Sequence, residues 1–190
     1  IMKRAFLIHG WEGYPEEGWR SWLKKELERR GFTVITPAMP DTATPTLEKW
    51  VPYLAKIIGT PDRKVFLVGH SLGCITILRY LETLKNDQIV GGAILVAGFG
   101  HDLEYDSYKG ELSSFFRDPL NWERVKNHCR KFVAIHSVDD PWVPVKHNKL
   151  FQNKLGAKPT IQQGMKHYSG DEGINELPVV LDELLEMAKD

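Results

Sequence analysis

Lys64-Val65-Phe66-Leu67-Val68-Gly69-His70-Ser71-Leu72-Gly73-Cys74-Ile75-Thr76-Ile77-Leu78-Arg79-Tyr80-Leu81 joins an apolar run, a Gly-x-Ser-x-Gly turn and a second apolar run compatible with a helix. Strand, sharp turn and helix form the context in which this pattern becomes a nucleophile elbow. Such a turn forces its serine into a sparsely populated backbone conformation and projects the hydroxyl past the strand end. Side chains two residues to either side would collide with the tight strand–helix crossing, so Gly69 and Gly73 keep that space open. The plainer alternative, Ser71 as the N-cap of an ordinary helix, has no need of both glycines.

Outward from this stretch, short apolar runs alternate with helical patterns. Strand-like runs fall at 5–8, 32–36, 65–68, 93–97, 132–135 and 160–162, bounded by Gly or Pro, as strands buried on both faces require. Helical periodicity covers 17–30, where Trp19, Trp22, Leu23 and Leu27 share a face and Gly31 stands at the cap position. It recurs at 47–58, where Pro52 predicts a kink or a start near Trp50, and then at 71–85, 122–127, 145–155 and 177–188. This β-α-β-α order predicts one three-layer α/β/α domain spanning 1–190, with a mainly parallel six-stranded sheet and right-handed crossovers. Residues 99–119 break the alternation. With Tyr105, Tyr108, Phe115 and Phe116 among acidic and small residues, they read as a lid or substrate-facing insertion, or as a surface excursion pinned by aromatics.

The bulk properties narrow the function. At 190 residues the chain can bury roughly 70% of its unfolded surface without staples. Its 25 basic and 25 acidic residues cancel and are interspersed, with no basic stripe for nucleic acid or a membrane surface. Cys74 and Cys129 show neither metal-ligand spacing nor a disulfide framework, so no metal or cofactor is expected. No signal peptide or 18-residue apolar stretch is found, and a cytoplasmic location is expected. Ile1 ahead of Met2 suggests Met2 as the natural start, with Ile1 a remnant.

Serine needs a base to take its proton, and the base needs a group to fix its tautomer. The elbow predicts the chain order Ser, acid, His. Asp139 and Asp140 follow the fifth strand, and His167 follows the sixth, so a parallel sheet brings all three elements to one edge. Asp140 is preferred because Pro141 biases its predecessor toward extended backbone; Asp139 stays open. Among the other histidines, His70 should point away from Ser71, His9 should shape the loop after the first strand, and His136 should be a buried, hydrogen-bonded ring. His101, His128 and His147 have no matching context. Two backbone donors are expected for an oxyanion: Leu72 N–H at the start of the helix, and Trp11 N–H in His9-Gly10-Trp11-Glu12-Gly13.

Strand, His-Gly, Gly-His-Ser-x-Gly, Asp-Asp-Pro and a late His resemble the α/β-hydrolase superfamily along nearly the whole chain. Gly18-Trp19, Trp22 to Glu28, Met39-Pro40-Asp41, Trp50-Val51-Pro52, Trp122 to Lys126 and Ser137 to Pro141 are similar to small serine hydrolases of the retinoblastoma-binding-protein-nine and YdeN type. The resemblance implies a compact hydrolase fold without a large cap, with Ser71 as nucleophile, Asp140 as orienting acid and His167 as base. A Leu-x-Cys-x-Glu motif linked to partner binding in such proteins is absent. Leu72-Gly73-Cys74-Ile75-Thr76 comes nearest, with Thr76 in place of the acid, so a protein partner is not implied.

The expected function is hydrolysis of a small or medium ester, thioester or amide, a small-molecule acyl substrate, with Trp11, Trp142 and Tyr168 contacting it. The rival class is an idle hydrolase fold whose aromatics Trp11, Tyr14, Trp142 and Tyr168 form a recognition surface. A cysteine hydrolase built on Cys74 is a third reading, weakened by that residue's place inside the helix.

Overall fold

Six parallel strands form the sheet: β1 (Arg4–Ile8), β2 (Thr33–Ile35), β3 (Val65–His70), β4 (Gly92–Val96), β5 (Phe132–Ser137) and β6 (Lys158–Gln162). The computed structural model describes residues 2–189; Ile1 lies outside them. The strand order is β2-β1-β3-β4-β5-β6. The chain thus winds one way from β1 to β2 and the other way from β3 onward, and the reversal opens a crevice beyond the carboxyl ends of β1 and β3.

Side chains alternate across the sheet, and the inner strands feed two cores. Phe6, Ile8, Val65, Leu67, Ala93, Leu95 and Ala134 join the core under α2 (Leu47–Ile58), α3 (Leu72–Glu82), α4 (Trp122–Asn127) and α5 (Lys146–Leu155). Ala5, Leu7, Phe66, Val68, Ile94, Val96, Val133 and Ile135 face α1 (Arg20–Glu28) and α6 (Pro178–Met187). The continuous apolar runs of β3, β4 and β5 follow from burial on both faces. α3 has ten buried residues, which is why its sequence lacks a polar stripe.

Boundaries differ from expectation for local reasons. α1 begins at Arg20 because Gly18, at φ +61°, still belongs to the incoming loop. Its regular turns end at Glu28, two residues earlier than expected, and the chain leaves through Gly31, φ +85°, with Phe32 N–H returning to the Leu27 carbonyl at 3.1 Å. α2 begins at Leu47 and runs through Pro52, whose ring lies on the exposed face, where the Glu48 carbonyl left without a donor can take water. β6 takes in Pro159, which an edge strand tolerates.

Residues 99–119 are tied down at several points. Leu112 and Phe115 are buried, the latter in a 3-10 turn over Ser113–Phe116. Arg79 Nε donates to the Phe115 carbonyl at 2.9 Å, and Ser114 Oγ accepts from Leu47 N–H at 3.1 Å. Tyr108 donates its hydroxyl to Asp102 and accepts from Leu112 N–H at 2.9 Å. No large cap covers the sheet edge, and among the described residues no helix is long and apolar enough to cross a membrane.

Because α3 is enclosed, Leu78→Ala should cost about 2–5 kcal/mol, whereas Ile161→Ala on the half-exposed edge strand should stay within about 0.5 kcal/mol. Equilibrium urea unfolding checks both; equal costs would contradict this assignment of the core.

Candidate active site

Ser71 sits at φ 55°, ψ −117°, between the end of β3 and the start of α3. Holding a non-glycine residue there costs of order 1–3 kcal/mol, so the surroundings must over-determine it. They do. Ser71 N–H donates to the Val96 carbonyl at 2.9 Å, fastening the turn to the end of β4, and Cys74 N–H donates to the Ser71 carbonyl at 2.9 Å. A Cβ on Gly69 would lie 2.8 Å from Cys74 N, and one on Gly73 only 2.3 Å from the Ile8 carbonyl oxygen. The crossing is closed to any larger residue at either position.

His167 and Asp140 arrive at the same edge on loops after β6 and β5. His167 Nε2 lies 3.0 Å from Ser71 Oγ, and its Nδ1 lies 2.8 Å from Asp140 Oδ2. The Asp140 side chain is 1% exposed. Its other oxygen accepts the Trp142 and Val143 N–H groups at 2.8 and 3.0 Å, so the buried carboxylate has partners on both oxygens. A carboxylate on Nδ1 fixes the tautomer that presents a lone pair on Nε2. Asp139 points elsewhere: it accepts from Ser137 Oγ and from Lys166 N–H at 3.1 Å, pinning the loop that carries His167. Its carboxyl is held below the usual range chiefly by the Ser137 hydrogen bond.

Gly10, after β1, packs against the elbow; a Cβ there would be 3.2 Å from Ser71 Cβ and 3.7 Å from Leu72 N. His9 fixes this loop, its Nδ1–H donating to the Gly10 carbonyl at 2.9 Å while Nε2 accepts from Met39 N–H at 3.0 Å. The Trp11 and Leu72 N–H groups have no acceptor among the described residues. Trp11, Tyr14, Leu103, Tyr105, Trp142 and Val143 wall a cavity of about 470 Å³ with Ser71 and His167 at its base. Trp142 is 47% exposed and meets Tyr105 edge-on, their ring centroids 5.2 Å apart. Leu103, Tyr105 and Leu112 bring the 99–119 segment to this wall. A second cavity of about 490 Å³ lies by the starts of β5 and β6, between Lys126, Arg130 and Glu183. Its thiol, Cys129, is pushed up by burial and donates to the Lys131 carbonyl at 3.2 Å, so volume alone does not locate the chemistry. Among the described residues no group of three or more His, Cys, Asp and Glu is placed to hold a metal ion.

One expectation is corrected. Tyr168 does not face the cavity: its ring is wholly buried in the core under α1 and α6, its hydroxyl donates to Gln162 Oε1 at 2.9 Å, and its carbonyl accepts from Trp19 Nε1. At φ +59° the backbone turns that side chain inward just after His167. His70, expected to point away from Ser71, reaches the loop that carries His167. Its Nε2 lies 2.7 Å from the His167 carbonyl and its Nδ1 3.2 Å from the guanidinium of buried Arg20, which is paired with Glu17 at 2.7 Å. Nothing in the sequence marked Arg20 or Glu17, which look like the polar start of an amphipathic helix. Glu172 was findable: Ser169 and Glu172 have capping-box spacing, and Glu172 also accepts His167 N–H at 3.0 Å.

His136 is a buried, bonded ring, Nε2–H to the Gly98 carbonyl at 2.7 Å, with Asn148 donating to Nδ1 at 3.0 Å. His147 packs on His101 with ring centroids 4.3 Å apart, and burial, reinforced by that neighbour, pushes it down to about 3. Cys74 is enclosed in α3 and burial pushes its thiol up, the reverse of what a thiolate nucleophile needs.

Comparison with known proteins places this arrangement among relatives. The model of a family described as serine hydrolase matches residues 5–186. YdeN of Bacillus subtilis, named as a hydrolase, is 33% identical over 184 residues, 97% of this chain and 95% of that protein. The serine hydrolase RBBP9 of Rattus norvegicus is 33% identical over 142 residues, 74% and 73% of the two chains. The crystal structure of the B. subtilis ydeN gene product superposes with a TM-score of 0.91 at 32% identity, covering 97% of this chain and 98% of that one. Est1E from Butyrivibrio proteoclasticus, 16% identical with a TM-score of 0.73 over 98% and 88% of the two chains, shares the fold.

Burial lowers the pKa of His9, His70, His136 and His147, so the unfolded chain binds protons that the native one refuses. Stability should therefore be intact above the ordinary histidine value and fall as pH drops below about 6.5, with a slope approaching about 1.4 kcal/mol per pH unit for each histidine. Urea unfolding between about pH 7.5 and 5 reads this slope; a flat profile would contradict it.

Proposed function

We propose that this chain, which belongs to the serine hydrolase family and is an enzyme of that class, cleaves a small or medium ester, thioester or amide by acyl transfer from Ser71. The unbroken hydrogen-bonded path from Asp140 through His167 to Ser71, at 2.8 and 3.0 Å, carries this reading. His167 Nε2 takes the Ser71 proton as Oγ attacks the substrate carbonyl. The carbonyl π pair moves to oxygen, where the Leu72 and Trp11 N–H groups receive it. When the tetrahedral centre collapses, His167 returns the proton to the leaving group. Water then attacks the acyl carbon as His167 takes its proton, and the acyl–Oγ bond breaks as His167 returns that proton to Ser71 Oγ, releasing the acid. Asp140, hydrogen-bonded to Nδ1, stabilises the imidazolium that forms.

The cavity supports a modest substrate. About 470 Å³ lies within the range of small-molecule sites. Trp11 and Trp142 give the acyl group apolar walls, and residues 99–119 form the facing side and could open as a lid. The Cys74 mechanism is set aside because its thiol is buried and protonated.

A fluorophosphonate probe should label Ser71, and Ser71→Ala should remove both labelling and turnover; labelling that persists would place the nucleophile elsewhere. If correctly folded wild-type protein takes no label, the binding-module reading stands instead. Asp140→Asn should lower kcat by up to about 10⁴ by favouring the wrong imidazole tautomer. Asp139→Asn keeps an oxygen acceptor for the base loop and should lose far less; the opposite ranking would transfer the role to Asp139.

A further inference from the structure

We propose that Arg20 and His70 are positioning residues that hold the general base by its backbone, with Arg20 fixing the tautomer in which His70 donates to the His167 carbonyl. The inference rests on the hydrolase reading above. It concerns residues that act through the backbone of His167, of which Glu17 and His70 also line the cavity.

The tautomer follows from the partners. A guanidinium can only donate, so His70 Nδ1, 3.2 Å from Arg20, must accept. The ring proton is then on Nε2, where the His167 carbonyl lies 2.7 Å away. The two imidazoles meet at a centroid distance of 5.2 Å, tilted by 38°. If Arg20 were absent, the proton could move to Nδ1, and a lone pair would then face the carbonyl oxygen. Asp140 does to His167 what Arg20 does to His70, with the polarity reversed.

His167 is thereby gripped at three points: Nδ1 by Asp140, its carbonyl by His70 and its N–H by Glu172. Glu17 extends the grip, pairing with Arg20 through one oxygen and accepting Gly170 N–H through the other. The grip matters because the reaction tolerates little error: displacement of a reacting group by about 1 Å can cost about 100-fold in rate.

A purely structural account is less satisfactory. Arg20 is 1% exposed, and its Nε has no partner. A buried ion pair is often matched or bettered in stability by apolar residues of similar volume, so stability alone does not require one here. The charged and titratable groups facing His70 are Arg20 from α1, His167 from the loop after β6 and His9 from the end of β1. Burial, reinforced by His167 and the Arg20 guanidinium, keeps His70 neutral, and its proton stays on the atom that serves the carbonyl.

The test uses full-length protein and p-nitrophenyl acetate. Glu17→Gln with Arg20→Met removes the pair without leaving a lone buried charge. It should fold with little change in Tm, lower kcat by about 10- to 100-fold and leave KM nearly unchanged. His70→Phe should do the same, and His70→Gln, which keeps a donor at the Nε2 position, should recover part of the loss. Nitrogen-15 NMR of labelled histidine should show His70 as the neutral Nε2–H form, becoming a tautomer mixture in the double variant. Unchanged kcat in folded variants, or mixed tautomers in the wild type, would overturn the proposal. Turnover surviving Ser71→Ala would instead fail the hydrolase reading, while the NMR result would still judge the role of Arg20.

Discussion

Ser71 occupies a backbone conformation that L-residues avoid, in a turn where α3 crosses so near β1 that a methyl group at Gly73 would strike the Ile8 carbonyl. Every other part of the site is referred to this crossing. The β1 loop reaches the nucleophile because Gly10 lets it settle against Ser71 Cβ, and β4 holds the turn through the Val96 carbonyl. The buried runs of β1, β3 and β4, together with the enclosed face of α3, supply the packing that keeps so costly a turn in place.

Around that fixed oxygen His167 is mounted on a loop, and loops are ordinarily the mobile part of a fold. Here the loop is made rigid by polar contacts. Asp140 is desolvated yet bonded at both oxygens, Asp139 holds Lys166 N–H, Ser137 Oγ accepts Met165 N–H at 3.1 Å, and Glu172 closes the far side. The Asp140 carboxylate would be expensive to bury alone; partners on both of its oxygens offset that cost. The two adjacent aspartates divide the labour, one orienting the imidazole and the other anchoring the chain that bears it.

The sequence was most readable where a physical requirement acts over a few neighbouring residues. The Gly-x-Ser-x-Gly turn needs its glycines within the crossing itself, parallel strands need apolar runs, and α1 needs Gly31 to end in left-handed backbone. Those patterns were enough to anticipate the sheet and to nominate Ser71, Asp140 and His167. Pairing rules failed at Tyr168: adjacency to His167 suggested the cavity, but a positive φ sent the ring into the opposite core.

Tertiary structure alone decided what depends on distant chain segments meeting. Arg20 and His70 lie 50 positions apart, and His70 and His167 lie 97 apart, so no local spacing could announce their contact. The reversal of strand order between β1 and β3, the contact of the Asp140 carboxylate with the His167 ring and the wall made by residues 99–119 are of the same kind. Local conformational preference is written into short runs of residues. Which polar atoms end up sharing one desolvated space is settled only when the whole sheet and both helical layers close around it.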